Sequence, residues 1–197
     1  PPPLFFLFNR RPPIPTLFPN TTLFRSRKGS EGLIIYGNSE PRRLVSEMIK
    51  KKREPHSIMI HGEKGLGKKT LARWRAAALL CERQTGEPCG ICRTCRMIAD
   101  GAHPDVMVAK ANSNGNYIVD DSIRPIVAEA PVAPNEARMK VYIIPDLDLS
   151  VNTVIQVQNI LLKVIEEPPE HTAIILMARS EEHTSALQSH HDLVCRL

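Results

Sequence analysis

Four short apolar runs, separated by longer stretches of helical spacing, set the pattern of this chain. Ser57–His61, Val106–Val108, Val141–Ile144 and Ala173–Met177 are too short for core helices and carry few polar residues. Runs of that kind read as strands of a sheet covered on both faces. Between them the apolar positions recur every three or four residues. Leu44, Val45, Met48 and Ile49 do so within 41–53, with Pro55 as the stop. A helix from Lys68 to about Leu80 follows the first strand, and a short helical piece lies near Arg96–Asp100. After the polar loop 112–117, Asp120 and Asp121 open a helix carrying Ile123, Ile126, Val127 and Ala130. Val154, Val157, Leu161, Leu162 and Ile165 form the stripe of a helix over 151–166, ended by Pro168 and Pro169. Strands alternating with helices predict a parallel α/β sheet with helices on both faces.

Composition changes sharply at the ends. Residues 1–26 hold 7 of the 17 Pro and all 5 Phe. Thr16–Ser26 resembles the translation of a sequencing adapter, with Asn20 one base from the expected Tyr, and Arg179–Ser189 resembles the opposite adapter, with Ala186 one base from Glu. The genetic code supplies a check. Leu23-Phe24-Arg25-Ser26 can be written CTC-TTC-CGA-TCT, and its reverse complement, AGA-TCG-GAA-GAG, reads Arg-Ser-Glu-Glu, the sequence of 179–182. Residues 1–26 and 179–197 are therefore expected to be adapter-like flanks, and neither enters the functional argument. The segment 27–178 is long enough for one domain with a core. It carries 21 Lys and Arg against 18 Asp and Glu, a net +3 that does not by itself argue for nucleic acid. It has no apolar run of membrane-spanning length and no signal peptide, so a cytoplasmic protein without membrane contact is expected.

The first predicted strand runs into Gly62-Glu63-Lys64-Gly65-Leu66-Gly67-Lys68, and a predicted helix follows. That is the setting of a phosphate-binding loop. Gly62, Gly65 and Gly67 let backbone N–H groups turn inward on phosphate oxygens, the helix N-terminus adds positive potential, and Lys68 reaches the outer phosphates. Hydrolysis needs more: a Ser or Thr after the lysine and an acidic residue after the third strand to hold magnesium, with a carboxylate to orient water. Here Lys69 occupies the hydroxyl position, and Thr70 is rotated by roughly 100° around the helix. Pro145 stands where the magnesium Asp belongs, and Asp146 where the water-orienting carboxylate belongs. Two defects on one ion predict that ATP or ADP can bind through Lys68, Thr70 and the loop amides without being hydrolysed.

Cys81, Cys89, Cys92 and Cys95 lie within fifteen residues, at the end of the helix that the phosphate loop opens. Four soft thiolates suit a closed tetrahedral Zn²⁺ site of structural type, with Gly86, Pro88 and Gly90 supplying the turns. A Cys89/Cys92 redox pair and an iron–sulfur site are the alternatives. His56, His61, His103 and His171 read as turn and packing residues, and Trp74 as core or subunit contact. Lys50–Arg53 reads as a solvated helix end, with contact to a phosphate backbone as the weaker reading.

These residues carry a resemblance. The segment 33–178 resembles the N-terminal AAA+ domain of bacterial DNA polymerase III clamp-loader subunits, the gamma/tau and delta-prime proteins. The carriers are the loop Gly62–Thr70, the cysteine insertion, His103-Pro104-Asp105, Val119–Arg124, Lys140–Ile144 and the block Asn159-Ile160-Leu161-Leu162-Lys163-Val164-Ile165-Glu166-Glu167-Pro168-Pro169. The departures at Lys69 and Pro145 are those of delta-prime. The resemblance thus implies a non-hydrolysing, stator-type subunit that helps load the sliding clamp, packs beside gamma/tau and delta, meets primer-template DNA through the complex and has no polymerase chemistry of its own. A gamma/tau-like ATPase using Thr70 and Asp146 in a shifted geometry is the alternative. The reading frame is expected to continue past Ala178 into a sensor loop and a Ser-Arg-Cys turn that presents an arginine finger, followed by lid and collar domains.

Overall fold

The computed structural model describes residues 33–35, 37, 39–110, 119–145, 151–178 and 194–196. Its described residues form five α-helices and five strands, in the order α1 (Ser39–Lys50), β1 (Ser57–His61), α2 (Lys68–Leu80), α3 (Arg93–Ala99), β2 (Val106–Val108), α4 (Arg124–Glu129), β3 (Lys140–Ile144), α5 (Val151–Glu166), β4 (Thr172–Ala178) and β5 (Val194–Arg196). The strands form one sheet in the order β2-β3-β4-β1-β5. Every pairing is parallel, with Ile58 opposite Ile175 and Tyr142 opposite Ile174. All strand carboxyl ends therefore lie at the same end of the sheet.

Alternation along each strand divides the core in two. Ile58, Ile60, Val141, Ile143, Ala173, Ile175 and Met177 face the layer of α1, α2 and α3, where they meet Val45, Leu71, Trp74, Leu79 and Ile98. Met59, Tyr142, Ile144, Ile174 and Leu176 face α4 and α5, against Ile126, Leu161 and Ile165. This split follows from the connections. The chain leaves β1 for the far edge at β2 and then returns inward through β3 and β4. Right-handed crossovers place α2 and α3 on one face and α4 and α5 on the other. Because α1 and α3 cover α2 as well, nearly all of α2 is buried, Trp74 and Arg75 included. Trp74 is a core residue, with the Arg42 guanidinium 5.5 Å above its ring.

Four boundaries differ from the sequence reading. The first helix starts at Ser39 and stops at Lys50, not at Arg53, because Lys52 adopts a left-handed φ of 52°. The short helix starts at Arg93, three residues early, because the Cys92 sulfur caps it by accepting from the Cys95 N–H. Val119–Ile123 forms a π-helical turn ahead of α4. β5 lies in the adapter-like tail, where no strand was expected, and pairs with the outer edge of β1 through Met59–His61. The polar loop 112–117 falls outside the described residues.

Candidate functional site

The phosphate loop leaves β1 at His61 and enters α2 at Lys68, at the carboxyl end of the sheet where ligands of open α/β folds bind. Two of its glycines are needed for their backbone. Gly65 has φ +95° and Gly67, the N-cap of α2, has φ +82°, a region that side chains rarely adopt. Lys68 is buried, and its ammonium donates to the carbonyls of Gly62 and Glu63, the latter at 2.9 Å. The loop is thereby closed around its own lysine.

Beside it, between the first two turns of α2 and the ends of β2, β3 and β4, lies a cavity of about 390 Å³. Its polar wall is Lys69, Arg73 and Lys110, and its floor is Val108, Ala109, Ile143, Pro145 and Met177. Lys69 and Pro145, the two departures read from the sequence, thus face one space, and Thr70 does not line it. Arg73 and Lys110 were not singled out by the sequence. Arg73 could have been found as the residue one helical turn beyond Lys69. Asp146 falls outside the described residues.

At the other end of α2, Cys81 is the C-cap, and its sulfur joins those of Cys89, Cys92 and Cys95 in one group, all within 4.8 Å of one another. The Cys89 and Cys95 sulfurs are 4.0 Å apart. A tetrahedral ion with metal–sulfur bonds near 2.3 Å needs sulfurs roughly 3.8 Å apart, so this group could hold a metal ion. Backbone N–H groups already point at the sulfurs, Cys92 to Cys89 at 3.4 Å and Cys95 to Cys92 at 3.3 Å. Burial pushes the Cys81 and Cys95 thiols up. Cys89 meets the same burial penalty, yet the N–H groups of Ile91 and Cys92 outweigh it and bring its thiol down to about 6. Gly86 and Gly90 take positive φ, as the turns require, and Gly86 lies directly against Ser46 and Lys50 of α1.

A third arrangement supports the cysteine group. Asp105, wholly buried, accepts from the backbone N–H of Asn135 (2.6 Å), Glu136 (2.8 Å) and Ala137 (2.8 Å), and from the Asn135 amide (3.0 Å). Burial alone would raise its pKa, but these donors outweigh it and hold the carboxyl below its ordinary 3.8. Burial holds His103 below its ordinary value, and its Nδ1 accepts from the Asp105 N–H at 3.1 Å. The latched loop reaches the cysteine module through Glu136, 3.3 Å from Arg93 at the start of α3. His56 contacts the Ile165 carbonyl at 3.1 Å. The histidines are packing and turn residues, and Lys50–Arg53 is exposed throughout. No helix among the described residues is long and apolar enough to cross a membrane.

The phosphate loop, the parallel sheet and the helix layers define an AAA+ fold. A solved structure agrees: the DNA polymerase III gamma subunit-related protein of Thermotoga maritima superposes with a TM-score of 0.53 at 22% identity, over 80% of this chain and 46% of that one. The family model described as DNA polymerase III, delta subunit, matches residues 37–188. DNA polymerase III subunit tau of Bacillus subtilis is 34% identical over 151 residues, 76% of this chain and 25% of the relative. Subunit delta' of Pseudomonas aeruginosa is 32% identical over 137 residues, 68% of this chain and 40% of the relative. The chain belongs to this family of DNA polymerase III clamp-loader subunits. It spans a quarter to two-fifths of the length of these relatives.

Proposed function

We propose that this chain is part of a delta-prime-type subunit, a stator that takes part in loading the sliding clamp without hydrolysing ATP. One observation carries the reading: Lys69 and Pro145, which stand where the sequence pattern expects magnesium ligands, line the same cavity. An ammonium and a pyrrolidine ring supply no oxygen to a divalent cation, and among the described lining residues there is no carboxylate or hydroxyl side chain to replace them. Nucleotide binding through Gly62, Gly65, Gly67, Lys68 and Thr70 is compatible with that loss. The four cysteines hold a structural Zn²⁺, supported by their all-sulfur donor set and by the grouping of all four sulfurs within 4.8 Å of one another. The protein works in the bacterial cytoplasm, assembled with gamma/tau and delta subunits, and meets the clamp and primer-template DNA through that complex.

The test is magnesium-dependent ATP turnover by the native protein. No turnover above background is expected, and Lys68→Ala should change nothing. Sustained hydrolysis that Lys68→Ala abolishes would overturn the stator reading in favour of an active gamma/tau-like ATPase.

A further inference from the structure

The face of α1 that meets the cysteine module carries polar groups that the fold does not use. Arg42, Ser46 and Lys50 lie at successive helical turns and line a cleft of about 340 Å³ that runs from Ser39 to the end of the helix. Glu87, from the loop between Cys81 and Cys89, lines it too, and none of its described lining residues belongs to the phosphate loop or the sheet. Ser46 is 3% exposed, yet its hydroxyl has no hydrogen-bond partner among the described residues. The same is true of the Arg42 Nε, on a guanidinium that lies 5.5 Å over the Trp74 ring. Arg43 differs, because Glu40 and Glu47 already engage it at 2.6 and 3.1 Å. Buried polar groups are nearly always satisfied, so two unmet donors on one stripe need a cause.

We propose that this cleft receives an extended acidic segment of a partner protein, one carboxylate of which accepts from Arg42 and Ser46. Guanidinium and ammonium groups only donate, and the hydroxyl can donate, so the stripe asks for anionic oxygen. A guanidinium held over an aromatic ring presents its edge as a fork, which a carboxylate matches. Residues four apart on a helix rise about 6 Å, close to the roughly 6.6 Å between same-side residues of an extended chain. The cleft is about 16 Å long, the reach of about five extended residues. Glu47 and Glu87 also line it, and they would repel a nucleic-acid backbone charged at every unit. A peptide avoids that by setting neutral residues beside them.

Trp74 is the single tryptophan of the chain and lies under Arg42, so its fluorescence reports entry into this cleft. The purified protein should be titrated with the end-blocked peptide Glu-Gly-Glu-Gly-Glu, its Gln-for-Glu counterpart, acetate and oligothymidylate. The acidic peptide should give a saturable change that weakens with salt, and the Gln peptide should bind at least tenfold more weakly. Arg42→Lys keeps the charge but loses the fork, and should weaken binding about tenfold. Ser46→Ala should weaken it about fivefold while leaving the melting temperature equal or higher, because it removes an unmet buried hydroxyl. No binding, equal binding of the Gln peptide, or variants that bind like the parent would each overturn the proposal. A lower melting temperature in Ser46→Ala with unchanged binding would make the hydroxyl structural and overturn it as well. Acetate binding as tightly as the peptide would replace the partner segment by a small carboxylate, and tighter oligothymidylate binding would replace it by nucleic acid. None of these results touches the stator reading, which fails only on turnover.

Discussion

The two ends of α2 carry the two chemistries of this domain, and they have fared differently. At the amino end the phosphate loop keeps its glycines and its lysine, while Lys69 and Pro145 line the cavity next to it. At the carboxyl end all four thiols are present and grouped. On the proposed function, the contrast separates chemistry used for folding from chemistry used for turnover. The amino end needs its glycines to make the bend whether or not an ion ever binds. The carboxyl end has little apolar core of its own, so a metal held there would be coupled to folding, and loss of one ligand would be felt as loss of structure. Changing the exposed Lys69 should leave the core intact, and changing a cysteine should not.

Breaking the carboxyl end should give the largest effect. Cys92→Ser is expected to take zinc content from about one ion per chain towards zero and to speed tryptic cleavage after Arg83 and Arg93 by roughly tenfold or more. The far-ultraviolet signature of the sheet should survive, and nucleotide contacts two helical turns or more away should change little. Metal analysis and limited proteolysis check both points; global unfolding would mean that the two ends are one cooperative unit.

Asp105→Asn should come next, with a cost of about 3 kcal/mol, because a buried carboxylate that receives four hydrogen bonds is replaced by a neutral amide with surplus donors. Its pH dependence has a definite sign. The folded pKa lies below the ordinary value, so the carboxylate stabilises fully above about pH 4 and loses its contribution as pH falls through the depressed folded value. Chemical denaturation at pH 7 and pH 3 should show the parent losing more stability in acid than the Asn variant. Equal losses would show that the Asp105 latch is energetically silent.

Gly86→Ala should have a smaller effect, about 1–2 kcal/mol. The added Cβ would meet the Lys50 Cγ at 2.6 Å and the Ser46 carbonyl at 2.7 Å, at a φ of +82°. The lysine can swing aside, but the carbonyl of α1 cannot. A thermal melt with unchanged zinc content would place the damage at the contact between the module and α1 and not at the metal.

Much of this was legible in the sequence, for particular reasons. β1, α2, β3, α5 and β4 were readable because apolar runs and helical periodicity are local signals, and the glycine loop between β1 and α2 names itself. The AAA+ fold and the family followed from blocks of residues that the comparisons bear out. The end of α1 was not readable, since Lys51–Arg53 are good helix formers and only Lys52's left-handed backbone stops the helix. The start of α3 was missed because a cysteine sulfur served as cap. The cationic wall joins α2 to the end of β2, and Asp105 latches a loop thirty residues away. Both depend on strand order, which no local pattern encodes.

The lengths of the strands have a consequence for the protein's life in a crowded solution. Thr172–Ala178, seven residues without charge or proline, has the composition of a segment that would assemble into fibrils if it were exposed. The sheet order places it between β3 and β1, paired on both sides. The strands left at the borders, β2 and β5, are three residues each, too short to template a neighbour's backbone over any distance. The fold thus confines this strand to the middle of the sheet and keeps its borders brief.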